Sequence, residues 1–294
     1  MLSILIPTYN YYIYDLVLNI HKKCLKENIV FEIICLDDNS DSNFTEANKK
    51  IEALSNCFYK ISRENKGRIA TREHLAKLAK NKWLLFLDAD VLPKNGHFIN
   101  KYVNYTNQDY LAIFGGLFYE EKNSNKQLLR WKYGKQNEEV PAVKRNLKPY
   151  KVVTSANLFI KKDIYLFFSK QFKTNTYGGD LIFAILLKEQ NTNILHIDNE
   201  VIHLGLESNI TYLLKVEKAI YNLLTLYNEN KIKTHQNDLL KAYLILKKLR
   251  LRFLFSYAFK IFNKTIKNNL TGNAPSIKLL QLYKICYMCN LSLN

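Results

Sequence analysis

The sequence predicts an α/β protein in which a largely parallel β-sheet is flanked by helices. Short apolar runs alternate along the chain with segments whose apolar residues recur at helical spacing. The chain has 294 residues, 48% of them hydrophobic, and only 9 Gly and 5 Pro, which is the composition of a packed globular protein. Polar residues follow three of the apolar runs directly, where ligands bind at the carboxyl ends of parallel strands.

The predicted elements alternate in the order expected of such a fold. Apolar runs predict strands over residues 2–6, 29–37, 57–61, 83–88, 111–114 and 193–202, with a polar interruption in the last. Helical spacing predicts helices over residues 11–26, 44–54, 68–80 and 96–105. Neither a G-x-G-x-x-G motif nor a P-loop follows any of these strands, which argues against a nucleotide-dependent dehydrogenase and a Walker-type NTPase.

The character of the chain changes after Gly205, and we expect two domains, residues 1–206 and 207–294. The second is predicted to be helical, with Lys- and Leu-rich amphipathic segments over 210–229, 236–264 and 276–289. The net charge is +17, and the region from residue 207 holds 14 Lys and Arg against 4 Asp and Glu. Such an excess suggests a polyanionic partner, such as a nucleic acid, an anionic membrane or a phosphorylated substrate.

The cysteines and the N-terminus bear on the compartment. Five scattered cysteines are an odd number, which favours a reduced, intracellular protein, and the Cys286-Tyr-Met-Cys289 pair is expected to pack in a helix. The N-terminus has no basic region before its short apolar run, and no apolar stretch reaches 18 residues. These features predict a cytoplasmic protein that does not span a membrane and that could lie peripherally on the inner membrane face.

Two carboxylates, Asp88 and Asp90, follow the predicted strand over residues 83–88. Carboxylate oxygens suit a hard divalent cation, Mg²⁺ or Mn²⁺, whose remaining positions phosphate oxygens can fill. An Asp-x-Asp sequence by itself also occurs in surface turns, so its place at a strand end is what favours a metal site.

The Asp-x-Asp sequence is one of seven motifs that occur in this order along the chain: Ile6-Pro-Thr-Tyr-Asn10, Leu36-Asp-Asp-Asn-Ser40, Asn65-Lys-Gly-Arg-Ile-Ala-Thr-Arg72, Leu87-Asp-Ala-Asp90, Thr154-Ser-Ala-Asn-Leu-Phe-Ile-Lys161, Tyr177-Gly-Gly-Asp180 and His196-Ile-Asp-Asn-Glu-Val-Ile-His203. In their content and order these motifs resemble the family 2 glycosyltransferases, over about residues 1–206. The resemblance implies the GT-A fold, a Rossmann-like mixed sheet flanked by helices, here followed by a helical basic C-terminal extension.

The resemblance also implies which residues bind the nucleotide-sugar. Pro7, Thr8 and Tyr9 would form the floor of the nucleotide pocket, and further contacts would come from Asp38, Asn65, Arg68, Arg72, Asp88, Ala89 and Asn157. Three alternatives remain open at this stage. Asp37 and Asp38 could cap the next helix, the two arginines could lie on a solvated helix face, and Asn157 could satisfy a buried turn. Arg130 and Arg145 are expected in a partly mobile loop on the acceptor side.

The same resemblance places the metal and the catalytic base. Asp90 would bind Mn²⁺ or Mg²⁺ directly, His203 would be a further metal ligand, and Asp88 would face the metal or the ribose. Asp180 would be the base that takes the proton of the attacking hydroxyl, although many relatives have two acidic residues at this place. Asp180 could instead cap a helix over residues 181–188.

These implications predict an inverting, metal-dependent hexosyltransferase that moves a sugar from a nucleoside diphosphate, most simply UDP, to a glycan or lipid-linked hydroxyl. Gln127-Leu-Leu-Arg130-Trp131 matches a motif of processive synthases, but it precedes Asp180, whereas that motif follows the base, so we expect a non-processive enzyme. A catalytically impaired scaffold and a nucleotidyltransferase are the alternatives, while the absence of DNA- or RNA-binding motifs argues against nucleic acid. The basic helices would contact an anionic membrane, or would pack on the core or on a second subunit.

Overall fold

The computed structural model describes residues 1–121, 127–171 and 178–293. The chain forms two compact units: the first comprises Met1–Phe118, Glu139–Asn175 and Asn191–Gly205, and the second comprises Tyr119–Glu138, Thr176–Gln190 and Leu206–Asn294. The expected division near residue 206 coincides with the last point at which the chain leaves the first unit and enters the second. Two earlier segments, which a single division there would assign to the first domain, belong to the second unit because their helices pack with the C-terminal helices.

The first unit contains a mixed seven-stranded sheet and a small three-stranded sheet. The strands are β1 (Leu2–Thr8), β2 (Phe31–Asp37), β3 (Cys57–Ile61), β4 (Trp83–Leu87), β5 (Val91–Pro93), β6 (Ala112–Phe114), β7 (Leu117–Phe118), β8 (Asn157–Lys161), β9 (Ile194–His196) and β10 (Val201–His203). The large sheet has the order β3-β2-β1-β4-β8-β6-β9 and the small sheet the order β5-β10-β7.

Twelve α-helices surround or follow these strands within the described ranges. They are α1 (Tyr14–Lys26), α2 (Ser42–Asn48), α3 (Arg68–Leu78), α4 (Phe98–Val103), α5 (Leu128–Asn137), α6 (Ala142–Leu147), α7 (Lys162–Ser169), α8 (Gly179–Glu189), α9 (Asn209–Asn228), α10 (Asp238–Lys248), α11 (Arg252–Thr271) and α12 (Ile277–Leu291). A 3₁₀-helix over Lys49–Ala53 continues α2. None of the helices in this part of the chain is both long and apolar enough to cross a membrane.

The large sheet is parallel only in its first half. β3, β2, β1 and β4 run parallel, whereas β8 is antiparallel to both β4 and β6. The alternation of apolar runs and helices predicted a largely parallel sheet, and the family resemblance correctly implied a mixed one. The central strands are buried on both faces, as in Ile4, Leu5 and Leu85, because helices cover the sheet.

The second unit is a helical bundle with its own apolar core. Leu129 of α5 packs with residues of α9, α11 and α12, and Ile185 of α8 packs with residues of α9, α10 and α12. Cys286 and Cys289 are buried in these clusters as free thiols, which confirms that they pack in a helix. Burial is the main cause that raises the pKa of the Cys289 thiol to about 11.

The single helix expected over residues 236–264 is interrupted between α10 and α11. Arg250 adopts a left-handed conformation with a φ of 60°. Its N–H donates to the carbonyl of Lys247 at 3.2 Å, and the N–H of Leu251 donates to the carbonyl of Leu246 at 2.9 Å. This pair of bonds is a Schellman motif, which ends a helix by satisfying its last carbonyls. Glycine usually occupies this position, so the sequence carried no signal of the break.

Candidate active site

The end of β4 carries a carboxylate held by two arginines. Asp88 follows β4 directly, and Arg68 and Arg72 lie one turn apart on the first half of α3. Nη2 of Arg68 lies 2.7 Å from Oδ2 of Asp88, and Nη2 of Arg72 donates to Oδ1. Burial by itself would raise the pKa of Asp88, but the two guanidinium groups outweigh it and hold the pKa well below its usual range.

The loop before β8 completes this cluster. The hydroxyl of Ser155 accepts a hydrogen bond from Arg68 at 3.1 Å, and its carbonyl accepts one from Arg72 at 3.0 Å. The N–H of Asp88 donates to the carbonyl of Ala156 at 3.2 Å. Arg72 is buried with its guanidinium 5.0 Å from the ring centre of Phe86, whereas Arg68 is exposed. Arg72 therefore positions Asp88, and Arg68 presents its guanidinium to solvent.

A second pair of groups, Asp90 and His203, lies where β5 and β10 pair antiparallel. Val91 lies opposite His203, and Nε2 of His203 is 3.4 Å from Oδ2 of Asp90. The N–H of Leu204 donates to the carbonyl of Asp90 at 2.8 Å, so backbone bonds hold the two segments together at this point. The next residue is Gly205, where a β-carbon would overlap the Asp90 carboxylate.

The Asp90–His203 pair suits a divalent metal of the manganese type. A carboxylate oxygen and an imidazole nitrogen are both ligands of such ions, and the glycine beside Asp90 leaves the carboxylate room to turn. Over the described ranges, no three His, Cys, Asp or Glu side chains come together as a metal site. Asp88, predicted as a further ligand, is therefore grouped with the arginines and not with this pair.

The ends of β1 and β2 are joined where the nucleotide pocket is expected. The N–H of Asn10 donates to the hydroxyl of Ser40 at 2.7 Å, and the N–H of Asp38 donates to the carbonyl of Thr8 at 2.9 Å. Thr8 is buried and Pro7 half-buried, whereas the ring of Tyr9 is exposed. Of the three residues assigned to the pocket floor, Tyr9 thus offers the most surface to a ligand.

Asp38 bonds to the loop that leads into α3. Its Oδ1 accepts the N–H of Lys66 at 2.9 Å, and its Oδ2 accepts the N–H of Gly67 at 2.7 Å. The capping alternative for Asp37 and Asp38 is wrong, because α2 begins after Asp41. Asp38 instead fixes the backbone just before Arg68. The neighbouring Asn65 is exposed and Ala89 is half-buried, and their contacts to a nucleotide-sugar stay predictions.

Asn157 has a structural position at the start of β8. It is fully buried, its amide nitrogen donates to the carbonyls of Gly116 and Asn199 at 3.0 and 2.8 Å, and Oδ1 accepts the hydroxyl of Tyr102. The prediction that Asn157 contacts the sugar conflicts with this burial. The alternative that it satisfies a buried turn fits the structure. Its amide nitrogen donates to one carbonyl in the loop between β6 and β7 and to another in the loop between β9 and β10.

Asp180 belongs to the second unit, in the first turn of α8. The residue that caps this helix is Gly178, with a φ of 100°, so the alternative that Asp180 is the cap is wrong. Its motif begins at Tyr177, which lies outside the described residues. The base role itself stays a prediction.

Sequence reasoning missed Ser155 and Gly205 and misplaced two arginines. Ser155 stands inside a quoted motif, and Gly205 follows His203 by two residues, so their adjacency to predicted site residues was the available signal. Arg130 and Arg145, expected in a mobile loop, are both buried. Arg145 bonds to the carbonyls of Phe114 and Ile197, and Arg130 pairs with Glu138 in the second unit.

The fold and the strand-end residues define the class. A mixed sheet of this kind flanked by helices is the GT-A fold of nucleotide-sugar-dependent glycosyltransferases. The family model of glycosyl transferase family 2 matches residues 3–169, and the chain belongs to that family. The protein is therefore a glycosyltransferase. Asp180 and His203 lie beyond the matched residues, so their roles rest on the sequence motifs and the geometry alone.

One solved structure shows how far the likeness of fold extends. The chain is similar to the mannosyltransferase PcManGT from Pyrobaculum calidifontis, solved in complex with GDP-Man and Mn²⁺, with a TM-score of 0.61. The two share 10% sequence identity over 99% of this chain and 86% of that chain, so the likeness is one of fold. No curated protein sequence matches this chain significantly.

Proposed function

We propose that the protein catalyses the inverting, metal-dependent transfer of a single sugar from a nucleoside diphosphate donor to a glycan or lipid-linked hydroxyl. The observation that carries the proposal is the Asp90–His203 pair in the same unit as the arginine-held Asp88. A metal-binding pair and the exposed guanidinium group of Arg68 are suited to stabilising a diphosphate leaving group. The proposal is further supported by the similar mannosyltransferase PcManGT, whose structure was solved with a nucleotide-sugar and Mn²⁺.

The residues of the first unit would serve the leaving group. Asp90 and His203 would hold Mn²⁺ or Mg²⁺, which when bound supplies positive charge to the diphosphate. Arg68, exposed and already bonded to a carboxylate, would donate hydrogen bonds to phosphate oxygens in the same planar geometry. Asp88 and Ser155 would keep the Arg68 side chain extended in the absence of the donor.

Asp180 would act on the acceptor. Inversion needs a single displacement, in which one carboxylate takes the proton of the attacking hydroxyl and no protein nucleophile forms a covalent bond. A single acidic residue in the motif is sufficient for that chemistry. Asp180 would supply that carboxylate from the first turn of α8.

The donor base and the compartment are the finer parts of the proposal. We take uridine as the first base to test because of the family resemblance, with guanosine next because the neighbouring structure contains GDP-Man. The five cysteines are free and buried, and thiols are kept reduced in the cytosol. The protein would thus work on the cytoplasmic side, where nucleotide-sugars would reach it.

Calorimetric titration of UDP, GDP and CDP, with Mn²⁺ and again with EDTA, tests the donor site. We expect one nucleotide to bind in the presence of Mn²⁺ and to bind weakly in EDTA. Asp90→Asn, which keeps the size of the side chain, should remove the metal dependence without lowering the melting temperature. A folded wild-type protein that binds none of the three nucleotides would contradict the proposal.

Hydrolysis of UDP-sugars with Mn²⁺ tests the catalytic role, because water can replace an unknown acceptor. Asp180→Asn should bind UDP as tightly as the wild type and hydrolyse the donor on the order of 10²-fold more slowly. Hydrolysis at the wild-type rate would remove Asp180 as the base. Nucleotide binding with no hydrolysis or transfer by the wild type would favour the impaired scaffold.

A further inference from the structure

The helix α11 is apolar on two opposite sides. Its inner side, which includes Phe259, Ile266 and Leu270, packs in the core of the second unit. Its outer side also carries large apolar residues: Phe253 is 68% exposed, and Tyr257 is 64% exposed. A large apolar surface on a helix is normally covered by other protein or by lipid, so the outer side needs a partner.

The exposed apolar residues form one continuous strip. Phe253, Tyr257 and Ile261 are spaced four apart, so their side chains lie above one another on one helix face, and Leu254 lies beside them. The turn that ends α10 adds the exposed Leu249 and Leu251 next to the start of the strip. We call these six residues the α11 face: Leu249, Leu251, Phe253, Leu254, Tyr257 and Ile261.

Exposed cations accompany the α11 face. Lys248 is the last residue of α10, Arg250 lies in the turn before α11, and Lys260 and Lys264 lie on α11 itself. None of these four side chains forms a salt bridge with another described residue. By contrast, Lys267 lies nearer the inner side of α11, and its Nζ is 2.9 Å from Oε1 of Glu217. The sequence contains no Asp or Glu after Asp238, so no acidic residue of this region offsets the positive charge.

We propose that the α11 face docks on an anionic lipid surface, with α11 lying in the plane of the interface. Interfacial helices combine Phe, Leu and Tyr that enter the headgroup region with Lys and Arg that reach anionic headgroups. The long lysine side chains can extend towards the headgroups while their methylenes lie along apolar surface. Docking in the interfacial plane requires no membrane-spanning helix.

The charge around the face disfavours a second copy of the chain as the partner. A twofold contact would bring the same surface of both copies together, and it would place Arg250, Lys260 and Lys264 of each copy close to those of the other. These cations have no acidic neighbours after Asp238 to offset that repulsion. An anionic membrane supplies both the apolar layer and the opposite charge.

Sedimentation of the full chain with phosphatidylcholine vesicles, with and without phosphatidylglycerol, tests the proposal. We expect binding only to vesicles that contain phosphatidylglycerol, and we expect it to weaken as salt is added. Phe253→Ser/Tyr257→Ser should lower the affinity on the order of tenfold or more, because two aromatic side chains no longer leave water. Lys260→Glu/Lys264→Glu should lower the affinity for these vesicles in low salt and should have a smaller effect on that affinity in high salt.

The matched control is Val143→Ser/Leu147→Ser, which removes exposed apolar side chains, 71% and 80% exposed, from α6 of the first unit. It should bind vesicles as the wild type does. Equal vesicle binding by wild type and Phe253→Ser/Tyr257→Ser would overturn the proposal, as would no binding of the wild type. So would a dimer in light scattering that Phe253→Ser/Tyr257→Ser converts to a monomer, because the face would then be a self-association surface.

The test does not depend on the proposed function. The four substituted residues of α11 are exposed, so each variant should keep the wild-type melting temperature and the wild-type affinity for nucleotide with Mn²⁺. Loss of vesicle binding with retained nucleotide binding would locate the defect at the lipid contact. Failure of nucleotide binding by the wild type, with vesicle binding intact, would overturn only the proposed function.

Discussion

Gly205 lies so close to Asp90 that a β-carbon on residue 205 would stand 2.7 Å from the carboxylate carbon and closer still to Oδ2. The absence of that carbon lets the carboxylate lie 3.4 Å from Nε2 of His203. Residue 205 thus controls the orientation of Asp90 without offering a ligand itself. Residues that orient a metal ligand commonly change metal affinity by 10- to 100-fold when they are substituted.

Gly205→Ala should weaken Mn²⁺-dependent nucleotide binding on the order of tenfold or more, because the added methyl group turns the Asp90 carboxylate away. Binding in EDTA should change little. Calorimetric titration of the nucleotide measures both. Gly96→Ala is the control, since a β-carbon at residue 96 would meet nothing within 4 Å. Wild-type affinity of Gly205→Ala in Mn²⁺ would show that this orientation of Asp90 is not needed.

The two arginines that bond Asp88 should differ in what they contribute to stability. Arg72→Met removes a buried partner from the largely buried carboxylate of Asp88, which should lower the free energy of unfolding by about 3 kcal/mol. Arg68 is about half exposed, so Arg68→Met should cost under about 1 kcal/mol. Urea unfolding compares the two. Equal losses would contradict the distinction between a positioning arginine and a ligand-facing one.

Arg68→Met should still have a defect in binding. With a charge-assisted bond to phosphate removed, nucleotide affinity should fall on the order of tenfold. Wild-type affinity in this variant would leave Arg68 without a role in the donor site.

His196 should make stability depend on pH. Burial, aided by the charge of Arg145, lowers the pKa of His196 from 6.5 to about 4, although a bond to the carbonyl of Pro149 opposes the change. The unfolded chain therefore takes up this proton at a higher pH than the folded chain does. Stability from this group is complete above about pH 6.5 and is lost as the pH falls towards about 4.

The loss should approach about 3 kcal/mol at low pH, since each unit of pKa difference corresponds to about 1.4 kcal/mol. Urea unfolding at a series of pH values measures it for the wild type and for His196→Gln. The difference between the two proteins should shrink on acidification, because the variant has no group to protonate there. A difference that stays constant with pH would contradict the assigned pKa direction.

Asn157→Ala separates a structural role from a sugar contact. The substitution leaves the carbonyls of Gly116 and Asn199 and the hydroxyl of Tyr102 without their shared partner, and it should lower the free energy of unfolding by about 2–4 kcal/mol. Tyr102→Phe, which removes one of these bonds, should cost about 1 kcal/mol. Both variants should bind a UDP-sugar as the wild type does, and weaker binding by Asn157→Ala alone would restore the sugar contact.

The first half of the sheet could be predicted because local signals agree there. β3 has the predicted bounds, and β4 ends one residue short of them, since buried parallel strands appear as uninterrupted apolar runs. The placement of Arg68 and Arg72 on one helix face followed from their spacing alone. Their shared partner, Asp88, did not, because it depends on how the start of α3 is held against the end of β4.

Other features depend on contacts between distant parts of the chain. Arg145 occurs in a polar stretch that predicts a surface loop, yet its guanidinium is buried because carbonyls at the ends of β6 and β9 accept its bonds. Asn157 is buried for a similar reason. The turn at Arg250 could not be predicted because a left-handed residue that is not Gly or Asn leaves no signature in sequence.

The antiparallel pairing of β4 with β8 sets the order in which the sheet can assemble during synthesis. β4 is complete at Leu87, but its partner begins only at Asn157, roughly 70 residues later. At about 5–20 residues per second, the ribosome needs on the order of ten seconds to supply it. During that interval the backbone groups on one edge of the apolar strand β4 are unpaired, and such unpaired strand edges promote aggregation of nascent chains. The Asp88 end of the site can therefore form only after that vulnerable stage has passed.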